Sequence, residues 1–320
     1  MMSKQLIAFS LALAAAFSVH AQAWPTKPVR IIVPYPPGGA VDVVTRRVAA
    51  KLQEQTGQTF YIENKSGATG TIGINQALQA PADGYTLVAN DTTYALLPHI
   101  FKKLPFNYAS DLVPVTGFMF APVAMAVRSE SKYKTLAELL RDGKAEPNKL
   151  TYGTGGAGTM PHFATEALGI ATGVRFMHIP FKGAGEATLA MLGGTIDFQL
   201  ASTPGVIGQV NGGKARLLAV SGDKRLAALP NVPTFAEAGL KGYGVVNFTG
   251  LWVKRGTPAE VAARLQKEVA TAMASPDVKA YAESIGAEAA SWDAATFAQN
   301  LTERNAFWGK VAANTAFERQ

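Results

Sequence analysis

Three times in this chain a short β-rich run gives way to glycines and then to a helical pattern. The stretches are "PYPPGGAVD" (Pro34 to Asp42), "YGTGGAGTMPH" (Tyr152 to His162) and "PFKGAGEA" (Pro180 to Ala187). A strand turning through glycine into a helix is the repeating unit of α/β folds, in which helices cover mostly parallel sheets. The same junction leaves backbone N–H groups unobstructed at a helix N-terminus, where the macrodipole favours an anion. One pattern therefore constrains both the fold and the chemistry.

The runs around these junctions fall into two series. The first has a strand over "VRIIVPY", a helix over "VDVVTRRVAAKLQEQTG" ending at Gly57, then "FYIENK", a helix over "TIGINQALQA", and "YTLVAN". "PVAMAV" (Pro122 to Val127) reads as a strand leaving that first sheet. The second series runs through "TLAELLRDG", "LTYGT", a helix from Pro161, "FMHIP", "EATLAMLGG", "IDFQLA" and "RLLAV". "VVNFTGLWV" (Val245 to Val253) leads back, and two helices close the chain, the first opened by Thr257-Pro258. No flexible linker separates the series, so two domains joined by short hinge strands are expected. Their bounds are residues 24–125 with 248–320, and residues 126–247.

The N-terminus sets the compartment. Lys4 precedes the apolar run "LIAFSLALAAAFSV", and "AQA" at Ala21 to Ala23 fits a cleavage site, so residues 1–23 are expected to be a signal peptide and the mature chain to begin at Trp24. The run is shorter than the roughly 20 residues a membrane span needs. A periplasmic protein follows. Cysteine is absent, which excludes disulfides, thiolate metal sites and a cysteine nucleophile. The 320 residues, 48% hydrophobic, can bury a large core. The net charge of +7 falls to +6 without Lys4, but basic residues are scattered singly, so no nucleic-acid partner is expected.

Gly153, Gly155 and Gly158 spell G-x-G-x-x-G, yet a dinucleotide fold should offer an acid about 20 residues on, at the next strand's tip. "GVRFMHIPFKG" has none there, and Lys182 stands instead. The reading is an anion loop without a cofactor. Thr154, Thr159 and His162 add polar groups to it, and "NDTTY" (Asn90 to Tyr94) ends another strand with small polar side chains. Asp42 has two readings that coexist: a first-turn acid satisfying free N–H groups, and an acceptor for a ligand donor. The chain has no G-x-S-x-G, H-E-x-x-H or G-x-x-x-x-G-K-[ST], and its two S-x-x-K matches lack the partner motifs. His99, His162 and His178 of the mature chain show no metal-ligand spacing. No catalysis is expected; the rival is an exported hydrolase using His162.

"WPTKPVRIIVPYPPGGAVD", "YGTGGAGTMPH", "IPFKGAGEA" and "RLLAVSGDKRLAALPNVPTFAEAGLKGY", in this order and followed by "GTP", resemble the Bug or TctC-like extracytoplasmic solute receptors of tripartite tricarboxylate transporters. The resemblance runs from Trp24 to near the C-terminus. It implies a two-domain Venus-flytrap α/β fold in which two loops, one per domain, grip a ligand carboxylate. Tyr35, Gly38, Gly39 and Asp42 would form the first jaw. Thr154, Gly155, Gly156, Thr159 and His162 would form the second, with Lys182, Gly183 and Ala184 beside it. Residues near Thr92 and Ser202 would read the ligand's far end. Two positions depart from the family's habit: Val41 stands where Thr is common, and Thr154 where Ser is common. The expected partners are a small carboxylate and membrane permease subunits, for a monomeric receptor; a signalling partner in place of the permease is the other reading.

Overall fold

The computed structural model describes residues 24–320; the signal-peptide assignment lies outside the described residues. Strand β1 (Val29–Val33) lies between β2 (Phe60–Asn64) and β3 (Thr86–Asp91), parallel to both. Helix α1 (Ala40–Thr56) follows β1 and buries Val41, Val44, Val48 and Leu52, one stripe at helical spacing. Each such side chain contributes about 1.5–3 kcal/mol when fully buried. Gly57, left-handed at φ 68°, ends the helix by donating its N–H to the Gln53 carbonyl. Helices α2 (Thr71–Leu78) and α3 (Thr93–Ile100) lie on either side of β3 in the chain.

The strand expected over Pro122 to Val127 is the second half of one 17-residue strand, β4 (Leu112–Arg128). Its first half pairs with β9 (Val246–Lys254) and β10 (Glu288–Trp292); its second half pairs with β7 (Gln199–Ser202) and β8 (Ala215–Val220). One strand thus belongs to both halves of the molecule, and β9 returns antiparallel beside it and beside β3. The expectation of mostly parallel sheets holds for β1 to β3 and for β5 (Thr151–Thr154) with β6 (Met177–Pro180). The remaining ladders are antiparallel: β9 runs against β3 and β4, and β7, β8 and β10 run against β4.

Between β4 and β8 the chain forms α4 (Leu136–Ala145), α5 (Met160–Thr172), α6 (Ala184–Leu192) and the short α7 (Ile207–Asn211). After β9 come α8 (Ala259–Ala274), α9 (Pro276–Ser284), β10 and α10 (Ala294–Ala313). Helix α9 and strand β10 were not anticipated between the two closing helices. Gly117 and Gly250 face each other across β4 and β9, and the Phe297 ring of α10 occupies the hollow that their missing side chains leave. Among the described residues no helix is long and apolar enough to cross a membrane.

Candidate functional site

Helices α1, α5 and α6 begin directly after β1, β5 and β6, so the topology brings three helix N-termini to the same ends of their strands. Their N-cap residues are Gly39, Thr159 and Gly183, and none is capped by a side chain. All three residues line one cavity of about 70 Å³. At α1 and α6 no capping side chain takes the first-turn donors; at α5 the Met160 N–H goes to Thr93 Oγ1 and Pro161 has none, so that end contributes chiefly its partial positive charge.

Glycine is required in these loops for different reasons. Gly38 turns at φ 85°, and its N–H donates to Asp42 Oδ2 at 2.9 Å. A Cβ on Gly155 would stand 2.8 Å from the Ala184 amide nitrogen, so its absence leaves the first turn of α6 accessible. A Cβ on Gly183 would stand 2.9 Å from Pro36 Cγ, which makes Gly183 the point where the third and first loops meet. Further contacts join the same two sides: Thr69 Oγ1 donates to the Ala157 carbonyl at 3.0 Å, and the Met160 N–H donates to Thr93 Oγ1 at 3.0 Å.

Of the residues expected to bind, Tyr35, Gly39, Gly155, Thr159, Gly183, Ala184 and Ser202 lie on the cavity wall. The others are placed elsewhere. Asp42 is buried behind its loop, accepting from the Gly38 amide, from Asn64 Nδ2 at 2.9 Å and from Arg46. Burial alone would raise its pKa, but the hydrogen bonds from Arg46, Gly38 and Asn64 outweigh it and hold the carboxylate below its usual range. The first-turn role is therefore the one its geometry expresses. Thr92 Oγ1 donates to Asn247 Oδ1 at 2.5 Å, and its neighbour Thr93 takes the wall position. Thr154 is buried, its hydroxyl held by the Gly156 carbonyl at 3.0 Å and by His178 Nε2 at 2.7 Å. Gly156 and Lys182 line a more open recess at the mouth, with Ser66 and Ala68.

His162 also lies off the cavity. It accepts the Gly158 N–H on Nδ1 at 3.1 Å and stacks on His178 with ring centroids 4.0 Å apart. It lines a separate groove with Glu166 and Phe317. Burial, then the neighbouring His178, lower its pKa to about 3, and burial lowers that of His178 to about 4. Both rings are neutral at physiological pH and brace the glycine loop from behind. Among the described residues the hydrogen bond of His162 Nδ1 is to the Gly158 N–H, and no group of three or more His, Asp or Glu is placed to hold a metal ion.

The remaining wall comes from residues that sequence reasoning did not select. Thr188 and Gln199 bond each other at 2.8 Å, and Asn247 bridges the two halves through Ser202 Oγ at 2.9 Å and Asp91 Oδ2 at 3.2 Å. Asp91 was within the quoted "NDTTY", and Asn247 shows in the sequence as a polar residue inside an apolar strand. Burial pushes the Asp91 carboxyl above its ordinary value, against hydrogen bonds from Thr93, Asn247 and Tyr35. Burial and then Asp91 raise the Tyr35 phenol. Among the described residues the cavity wall carries no Lys, Arg or His. It can hold an anion through backbone N–H groups, hydroxyls, side-chain amides and helix dipoles.

The chain is similar to known proteins along most of its length. The sequence pattern of the family described as "Tripartite tricarboxylate transporter family receptor" matches residues 44–316. Protein BugT of Bordetella pertussis is 31% identical over 278 residues, covering 86% of this chain and 84% of its own. Among solved structures, R. palustris Rpa4515 with adipate is 30% identical with a TM-score of 0.87, covering 91% of this chain and 97% of its own. MatC from Rhodopseudomonas palustris with bound malate is 28% identical with a TM-score of 0.83, covering 90% of this chain and 100% of its own. An α/β chain with three uncapped helix ends around one cavity, matched along most of its length, belongs to the Bug or TctC-like receptors of the tripartite tricarboxylate transporter family.

Proposed function

We propose that this chain is a periplasmic solute receptor that captures a small organic carboxylate between two domains and delivers it to a membrane permease, without chemistry on the ligand. The observation that carries the reading is the convergence of the α1, α5 and α6 N-termini on a cavity free of basic side chains. One carboxylate satisfies such a wall, because first-turn donors and dipole ends together offer less than a full positive charge each. The bound adipate and malate of the two solved relatives are carboxylates as well. Tyr35, Gly39, Gly155, Thr159, Gly183 and Ala184 contact the ligand directly, with Ser202 toward its far end. Gly38, Asp42, Thr92, Thr154, Gly156 and His162 shape the loops from behind, and Lys182 sits at the mouth.

The domains are residues 24–125 with 248–320, and residues 126–247, hinged where β4 and β9 cross. Thr69 to Ala157, Thr93 to Met160, and Pro36 against Gly183 are closed-state contacts. A ligand touching both loops gains those interactions only when the domains are shut, so it shifts the population toward closure. The test is thermal melting of protein refolded free of bound solute, with carboxylates and their matched amides. At 100 times its dissociation constant a ligand adds about 2.7 kcal/mol, a rise of several degrees. A carboxylate that acts while its amide does not is expected; equal action of both would refute an anion grip. Loss of uptake in a deletion strain separates delivery to a permease from a signalling role.

A further inference from the structure

Among the described residues Asp91 is the one carboxylate on a cavity wall that has no basic side chain. Its position at the end of β3 is fixed, because Oδ1 accepts the Thr93 N–H at 2.9 Å and Oδ2 accepts from Asn247 Nδ2 at 3.2 Å. Tyr35 lies 3.2 Å from Oδ1, but its single proton has a shorter path, 2.6 Å, to Asn90 Oδ1. An ionised carboxylate offers about four lone-pair sites. Among the described residues the one hydrogen bond to Oδ2 comes from Asn247 Nδ2, so on the cavity wall that oxygen keeps an acceptor site for a ligand donor.

Resting on the carboxylate reading above, we infer that Asp91 makes the cleft select carboxylates carrying a hydrogen-bond donor, an amino or hydroxyl group, over di- and tricarboxylates. Three helix ends at about half a positive charge each offer about one and a half charges, enough for one ligand carboxylate and short of two. A second ligand carboxylate in so compact a cavity would meet Asp91 with no cation between them, and like charges held close in a buried site repel strongly. A donor has the opposite effect: it fills the free acceptor of Asp91 and restores the hydrogen bonds that closure takes from water. Discrimination by a buried polar group is large, because the wrong ligand leaves that group unpaired.

The experiment is titration calorimetry on refolded, ligand-free protein with matched trios. One trio is 4-aminobutyrate, 4-hydroxybutyrate and succinate. Corresponding amino, hydroxy and dicarboxylic acids of two to six carbons follow, then 4-aminobenzoate, 4-hydroxybenzoate and terephthalate. The expected result is a trio in which the amino or hydroxy acid binds at least tenfold tighter than the dicarboxylate; which of the two is tighter identifies the donor. In Asp91→Asn and Asp91→Ser that ligand should weaken at least tenfold while the dicarboxylate binds no worse, with both variants melting cooperatively. Tightest binding by dicarboxylates or by unsubstituted acids overturns the inference and leaves the carboxylate reading intact. So does a donor ligand that neither variant weakens. Binding of no carboxylate at all removes the carboxylate reading, and this inference with it.

Discussion

Gly183→Ala isolates closure from folding. The Gly183 backbone is extended, at φ −164° and ψ 164°, so alanine adopts it without strain. Its Cβ would stand 2.9 Å from Pro36 Cγ, 3.2 Å from Pro36 Cβ and 3.4 Å from Pro36 Cδ. Carbon atoms in good contact are about 3.5–4.0 Å apart, so the jaws would have to part by roughly 0.6–1 Å. Overpacking of this size costs about 1–3 kcal/mol. With Pro36 and Gly183 in opposite domains, as proposed above, the cost falls on the closed state. At about 1.4 kcal/mol per decade it weakens ligand binding roughly 5- to 150-fold.

The exchange of Gly for Ala at an N-cap costs up to about 1 kcal/mol of helix stability, which appears in the melting temperature without changing affinity. The assay is calorimetry of the single variants Gly183→Ala and Pro36→Ala and of the double variant. Pro36→Ala removes Cγ and Cδ, so the double variant should recover most of the lost affinity, a coupling above about 1 kcal/mol. Affinity within twofold of the parent, or a loss that Pro36→Ala does not relieve, would refute the steric account of closure.

Two further outcomes follow from the loops. Gly39 is extended at φ −76°, and a Cβ there meets nothing nearer than the Pro36 carbonyl at 3.9 Å, so Gly39→Val should fold with a melting temperature within a few degrees of the parent. Its branched side chain would stand over the start of α1, and calorimetry should find binding weakened by about 100-fold or more, as when a positioned donor set is lost; retained affinity would move the ligand away from this loop. His162 and His178 make stability fall on acidification. Their folded values, about 3 and about 4, lie below the roughly 6.5 of an unfolded histidine, so the unfolded chain binds the extra protons as pH drops through 6.5 toward 4. By pH 5 the two together remove up to about 4 kcal/mol. Denaturant titrations of the parent and of His178→Gln between pH 7 and pH 5 should differ in slope by about half of the parent's loss, and parallel profiles would refute it.

What could be read from the chain divides along a physical line. Backbone features were legible: glycines between a β-rich run and a helical one announce a turn and a helix start whatever packs around them, and all three loops stand where those glycines placed them. The length of β4 was not legible. Pro114, Gly117 and Pro122 interrupt its pattern, and it holds together because β9 and β10 pair with one half and β7 and β8 with the other.

Side-chain direction was the other hidden quantity. Pro161 and His162 are consecutive in α5, yet one lines the cavity and the other stacks on His178, because neighbours on a helix point about 100° apart. Naming the helix start therefore could not say which of the two faces the ligand. Thr92 and Thr93 divide in the same way: the first is tied to Asn247, and the second reaches the wall. Asp91 escaped for a different reason. As a residue type it suggests a cap, and it does accept the Thr93 N–H at the start of α3. Its weight in the site comes from what is missing around it, a wall without any cation, and that becomes visible only when β3, β7 and β9 bring Asp91, Ser202 and Asn247 to one place. A charge inventory of the assembled cavity, more than any motif, thus carries the proposed selection among carboxylates.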